Sequence, residues 1–432
     1  MNFFKSFLIT SSTSITITVL AFLNNIIVTR HLGPDGRGIY AVVTNLIMLL
    51  VLIFGEGIRR SNTVIIGKHS DQTRLLFRQT MLHSIIICII FVLIYLLKFT
   101  YVILLPNITS TLIILSLCIS VFSILWQSVQ ALLLGLQKIV GFNIILIVQI
   151  GIFFLINIIG IWFLNFQVEQ FFLSMLISAA ITFIIGIGLL KPNSPGTTST
   201  NKKIAKESYL VGFKSTISAL AMFLNFRGNI FLINFFLNPF QAGIYAVAAF
   251  FFEFMLKIPN FLGPLVISAT VQDFSLKPAL NSARLIRTIF LFNLFIVVCL
   301  FFGGKLILVI LFGNDFLESY TPLVYLLPAL LFIGPGGIIH AYFMGRAYPI
   351  QLVWITIITG IMNIVLNIIY IPKFGILAAA AVTSISLFLW FLSLLILFYR
   401  ESKISYKEIL LFNKSDLVYL IDSFSRIKSK II

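Results

Sequence analysis

Residues 32–42 read LGPDGRGIYAV and residues 237–247 read LNPFQAGIYAV. At an offset of 205 the copies share Leu, Pro, Gly, Ile, Tyr, Ala and Val. A helix stop followed by proline and a conformationally free glycine makes a compact turn, so each copy predicts a tight connection between two helices. The register continues outside the turn: Asn24 corresponds to Asn229, and Thr10, Ser11 and Thr13 to Ser215, Thr216 and Ser218. At an offset of 210, Gly135 corresponds to Gly345 and Asn157-Ile158-Ile159 to Asn367-Ile368-Ile369. The chain is written as two related halves.

Of the 432 residues, 60% are hydrophobic and 10% charged, a balance foreign to soluble domains of this length. Apolar runs recur that are long enough to cross about 30 Å of hydrocarbon as helices. The fold class is therefore an all-α polytopic membrane protein. Apolar runs and breakers give about twelve spans, over 6–28, 39–58, 80–98, 110–134, 143–164, 170–190, 210–235, 244–270, 288–312, 322–344, 350–371 and 376–399. The first run is too long for a signal peptide and lacks a small-residue cleavage site before Gly33-Pro34, so it counts as span one. Six spans per half bring both halves into the membrane in the same sense, related by an axis along its normal. The expected organisation is an N-terminal six-helix lobe (1–191), a cytoplasmic linker (192–208) containing PNSPGTTSTN, a C-terminal six-helix lobe (209–400) and a basic tail (401–432). In the tail, Leu417, Leu420, Ile421, Phe424 and Ile427 share one helical face, as in a helix lying on a membrane surface; a frayed tail is the alternative.

Lys and Arg number 30 against 13 Asp and Glu, a formal net charge of +17. With a cytoplasmic N-terminus, the inner side holds all the basic residues except the outer Arg30, Arg37, Lys98 and Lys373 and the membrane-embedded Arg227, Lys257 and Lys305. This fits the positive-inside rule and places both termini in the cytoplasm. The excess charge reads as topology and attraction to anionic membrane lipid, and no nucleic acid is expected as a partner. Cys88, Cys118 and Cys299 lie in apolar runs, which argues against a disulfide framework or a thiolate metal site. No Walker loop, metal cluster or nucleophile triad is legible, so neither cofactor nor catalytic residue is assigned. Of the four histidines, only His31, beside Arg30 at the outer mouth, suggests a pH-sensing role.

Two bundles about a pseudo-two-fold axis predict a cleft, and polar residues mark the spans facing it. Span one carries a Ser/Thr run from Thr10 to Thr18 and then Asn24; span seven carries Asn225, Arg227 and Asn229. Such residues also serve as helix-packing contacts. Charges say more, because each costs about 2.5–3.5 kcal/mol at mid-bilayer on insertion scales. Arg227 in span seven, with Glu253 and Lys257 in span eight, reads as a cationic cavity for an anionic group. There Arg227 supplies a planar donor fork, Lys257 a mobile point charge, and Glu253 tunes or releases them. The structural alternative is a self-neutralising Glu253–Lys257 pair at i, i+4 spacing, which leaves Arg227 unexplained. Lys305 can snorkel to the outer surface. Gate candidates are Arg30 at the outer mouth, Glu56 and Arg59 at the inner rim, and the helix breakers Pro259 and Pro264 of span eight.

Arg30-His31-Leu32-Gly33-Pro34, the Gly38–Ala41 turn, Asn363 and Asn367, Ile371–Gly375 and Ala378–Ala381 together resemble the polysaccharide repeat-unit flippases. These belong to the multidrug, oligosaccharidyl-lipid and polysaccharide exporter superfamily. The resemblance implies two six-helix lobes in a V and spans one, two, seven and eight around a cationic cavity worked by alternating access. Its implied cargo is a polyprenyl-diphosphate-linked oligosaccharide, exported across a bacterial inner membrane for O-antigen, capsule or similar polymers. A polysaccharide polymerase and a chain-length regulator are the implied candidate partners. The first half departs from the superfamily's richest cationic pattern, since spans one and two hold no mid-membrane Arg or Lys. The alternatives are a cation-coupled multidrug antiporter of the same fold, expected to hold more acidic residues, and a polymerase or ligase, expected to carry a long outer loop.

Overall fold

The computed structural model describes residues 3–68, 72–97, 105–191, 202–255, 257–273, 275–346 and 350–411. Among these residues the regular elements are all helical. They are α1 (Phe3–Lys68), α2 (Thr73–Leu96), α3 (Ser110–Gly135), α4 (Ile139–Leu164), α5 (Val168–Leu190), α6 (Lys202–Phe236), α7 (Pro239–Met255), α8 (Lys257–Gln272), α9 (Lys277–Phe312), α10 (Tyr320–Gly345), α11 (Ile350–Ser402) and the short α12 (Tyr406–Leu410). A 3-10 turn, Asn314–Ser319, leads into α10.

Nine of the described helices are long and apolar enough to cross a membrane. Eleven of the twelve expected spans map onto these nine through two mergers, and span eight falls on the shorter α7 and α8. Spans one and two are both within α1, and spans eleven and twelve both within α11. A straight helix of 66 residues would run about 100 Å, three bilayer cores. α1 avoids this by breaking at Gly33, whose φ of 64° and ψ of −177° lie in a region only glycine enters freely. α11 breaks the same way at Gly375, with φ 64° and ψ −150°. The repeated turn of the sequence is thus made, in its first copy, by one residue out of helical geometry.

The residues cluster into two compact units. The first comprises Met1–Phe223, Ile230–Ile244 and Leu311–Asp315; the second comprises Leu224–Asn229, Tyr245–Ile310 and Phe316–Ile432. The first unit is organised on α3, which packs against α1, α2, α4 and α5. Its Ser116, Ser120, Ser123 and Ser128 are buried, small side chains that let neighbouring helices approach closely in a membrane. Val28, Tyr40, Val43 and Ile47 of α1 close one core with Ile119 of α3 and Phe171 and Phe172 of α5. Ile65 and Ile66 close a second with Val129, Leu132 and Leu133 of α3 and Ile145 of α4.

The second unit is organised on α10, which packs against α8 and α11. Gly336 of α10 lies directly against the Trp390 indole, and Phe332 stacks on Phe391 with centroids 5.3 Å apart. Large apolar side chains such as Ile89, Trp162, Phe163, Phe302 and Leu306 point outward, the arrangement of a surface whose solvent is lipid. Cys88, Cys118 and Cys299 are exposed free thiols on that surface. α6 begins at Lys202, within the stretch read as linker, while PNSPGTTSTN and the tail beyond residue 411 lie outside the described residues.

Candidate functional site

α6 sorts its polar residues by helical geometry. Asn225 and Asn229, four apart, share a face; Arg227, two from each, points about 200° away. The asparagine face meets α11. Asn225 donates to the Thr359 hydroxyl at 3.2 Å, and Asn229 donates to Thr383 at 2.5 Å and to the Tyr245 hydroxyl at 3.1 Å. Asn367 donates in turn to the Asn229 side-chain oxygen at 2.9 Å.

The first unit repeats this contact at matching positions. Asn157 donates to the Asn24 side-chain oxygen at 2.8 Å, and Ser174 donates to the Asn157 oxygen at 2.5 Å. The sequence correspondence of Asn24 with Asn229 and of Asn157 with Asn367 is therefore one hydrogen bond made twice. Asn24, Asn225 and Asn229 are all buried, at 6%, 1% and 1% exposure, so in this conformation they join helices.

The opposite face of α6 presents Arg227 to α7, where its Nη2 lies 3.0 Å from Oε2 of Glu253. Arg227 sits midway along Ala219–Phe236, the part of α6 apolar enough to span a membrane. Both charged groups remain partly open, at 24% and 41% side-chain exposure, so the pair borders accessible space. Phe226 packs beside it, with ring centroids 5.8 Å from Phe252 and 6.4 Å from Trp390. Glu253 thus takes its partner from a neighbouring helix rather than from Lys257. That lysine is exposed at the start of α8. Arg227, Lys257 and Glu253 together carry a formal charge of +1.

The gate candidates fall separately. Glu56 accepts from Arg59 Nε at 2.8 Å and Nη2 at 2.6 Å, and from Arg60 Nε at 2.8 Å, a clamp within one turn of α1. Arg30 is exposed on α1, and His31 lies beside it with Nε2 2.7 Å from the Phe166 carbonyl oxygen. Pro264 is exposed inside α8; the Pro259 side chain lies outside the described residues. Lys305 stands 5.2 Å from the Tyr320 ring centroid, its charge resting on an aromatic face. Among the described residues no group of three His, Cys, Asp or Glu side chains could hold a metal. Asn225, Arg227 and Asn229, all assigned to the cavity from the sequence, fall on two faces of α6 by the 3.6-residue period.

The fold is shared with solved structures. A lipid II flippase MurJ in an inward closed conformation superposes with a TM-score of 0.76, at 15% identity over 96% of this chain and 92% of that one. An inward-facing multidrug resistance MATE family transporter gives 0.72, at 15% identity over 90% and 96%. A superfamily transporter from Pyrococcus furiosus Vc1, described as having a binding pocket of reverse polarity that suggests a different function, gives 0.61, at 15% identity over 93% and 95%. No curated protein sequence matches. The chain belongs to the polysaccharide biosynthesis protein family, whose pattern matches residues 3–275.

Proposed function

We propose that this protein is a flippase that carries a polyprenyl-diphosphate-linked oligosaccharide from the inner to the outer leaflet of a bacterial inner membrane, for O-antigen, capsule or a related surface polymer. The observation that carries the proposal is the Arg227–Glu253 pair, held midway along a membrane-spanning helix with Lys257 on the following segment. A charge at that depth costs about 2.5–3.5 kcal/mol, and a structural pair needs one cation, not two. The surplus positive charge suits a diphosphate, which Arg227 would grip through two parallel donors while Lys257 adds a point charge. Glu253 holds the guanidinium until the anion arrives. Asn225 and Asn229 contribute by clamping α6 so that Arg227 faces the site, and Asn24 clamps α1 in the same way in the first half. Arg30, Glu56 with Arg59, Pro259 and Pro264 are the proposed gate residues.

Membership of a polysaccharide biosynthesis family supports a glycan cargo, and the MurJ likeness supports a lipid-linked one. The reverse-polarity relative supports reading pocket charge as a guide to cargo class within this fold. Transport is by alternating access, with the prenyl tail remaining in lipid and no bond made or broken. Both termini are cytoplasmic in this proposal, and a polysaccharide polymerase and chain-length regulator are its candidate neighbours.

Depletion of the protein in its native cell tests the cargo. Mass spectrometry of lipid extracts is expected to show a polyprenyl-diphosphate oligosaccharide accumulating in the inner leaflet, shielded from an impermeant sugar-modifying reagent. Unchanged intermediates together with altered sensitivity to cationic drugs would instead favour a multidrug antiporter.

A further inference from the structure

The two copies of the repeated turn touch each other. A Cβ built on Gly38 would overlap the carbonyl oxygen of Pro239 and stand 3.0 Å from the Gly243 nitrogen. One built on Gly243 would overlap the carbonyl oxygen of Pro34 and stand 3.0 Å from the Gly38 nitrogen. The offset of 205 converts Pro34 into Pro239 and Gly38 into Gly243, so the contact is its own mirror in the repeat, the geometry of a two-fold interface. Nothing larger than glycine fits on either side.

A second backbone contact lies further along α1. A Cβ on Gly212 of α6 would stand 3.0 Å from the Gly57 carbonyl oxygen, and one on Gly57 would stand 3.2 Å from Thr216 Oγ1 and 3.3 Å from the Gly212 Cα. Gly38 and Gly57 are separated by about 28 Å of helix at 1.5 Å per residue, close to one hydrocarbon thickness. The same helical segment is therefore seamed to the second half of the sequence once near each membrane face. We propose that these seams are the two gates: Gly38 with Gly243 closes the face that the charge pattern assigns to the outside, and Gly57 with Gly212 closes the inside. This inference rests on the transporter reading, but not on the identity of the cargo. Glycine is required because a gate closed by backbone can part and re-form with little side-chain rearrangement, whereas a methyl group wedges it.

Spin-label distances test the proposal in full-length protein in lipid nanodiscs, after Cys88, Cys118 and Cys299 are replaced by alanine. Labels at Asp35→Cys and Gln241→Cys report the outer seam, and labels at Val64→Cys and Phe213→Cys the inner one. Gly243→Ala is expected to lengthen the outer distance by several ångströms and leave the inner one short. Gly57→Val is expected to do the reverse, and Gly151→Ala, with open space around its Cα, to change neither. An unchanged outer distance in folded Gly243→Ala, both distances lengthening together, or loss of folded protein in Gly38→Ala and Gly243→Ala alike would overturn the proposal and make the seam a fixed crossing. These readings are independent of the lipid analysis, which alone decides the cargo.

Discussion

Arg227 is the residue on which the functional reading turns, because its two helical neighbours are engaged on the other side. Replacing Arg227 by alanine removes a charge-assisted contact of about 1.5–3 kcal/mol, equivalent to about 10- to 150-fold in head-group affinity. Lys257→Ala should cost less, since a single point charge offers no parallel donors. Export rates should fall in both variants while the amount of protein in the membrane stays constant; normal export by both would remove them from the site. Asn229→Ala acts differently: it removes one of the acceptors of buried Asn367 and the donor to Thr383 and Tyr245, at a cost of about 1–3 kcal/mol in stability. Asn24→Ala should do the same to Asn157, and thermal melting of purified protein measures both. The sequence carried the register of these asparagines through the repeat, yet their pairing was illegible because the partners are more than a hundred residues apart. The sequence offered Glu253 two cations, Lys257 at i, i+4 spacing and Arg227 on the preceding span, and the 3.0 Å contact is with Arg227.

At the scale of single elements, the breaks in α1 and α11 decide whether 66- and 53-residue helices can each serve as two spans. Gly33→Ala places a Cβ in a backbone region that costs about 1–3 kcal/mol, although the structure leaves open space for the atom itself. Gly151→Ala, in a regular helix with equal space, should gain up to about 1 kcal/mol. Opposite shifts in melting temperature are therefore expected from the same chemical change. Equal shifts would mean that the Gly33 conformation carries no strain for alanine. The location of the first break was readable from Gly33-Pro34, since proline cannot donate to the preceding turn and the glycine can leave helical space. The breakers of span eight were harder to read than Gly33-Pro34, for Pro264 is taken up inside α8. A proline within an apolar run can kink a helix or be absorbed by it, as Pro328 and Pro335 are absorbed in α10.

Across the whole molecule, composition was enough to predict an all-helical membrane protein. The repeat also hid its own purpose, because a turn written twice looks like two local solutions until the copies are seen in contact. The orientation argued from Lys and Arg predicts that a reporter fused at the C-terminus is shielded from impermeant reagents in intact cells, and that a thiol at Asp35 is reactive. The reverse pattern would invert the assignment of the two seams.

The central claim is that this chain moves a lipid-linked oligosaccharide through a site built on Arg227, and reconstitution tests it most directly. Lipid-linked intermediates recovered from depleted cells would be incorporated into proteoliposomes with the purified protein, and their exposure to an impermeant sugar-modifying reagent followed over time. Wild-type protein should expose the pool held in the inner leaflet of the vesicles, and the Arg227→Ala protein should do so at least about tenfold more slowly. Equal exposure with wild-type protein and with protein-free vesicles would contradict the account.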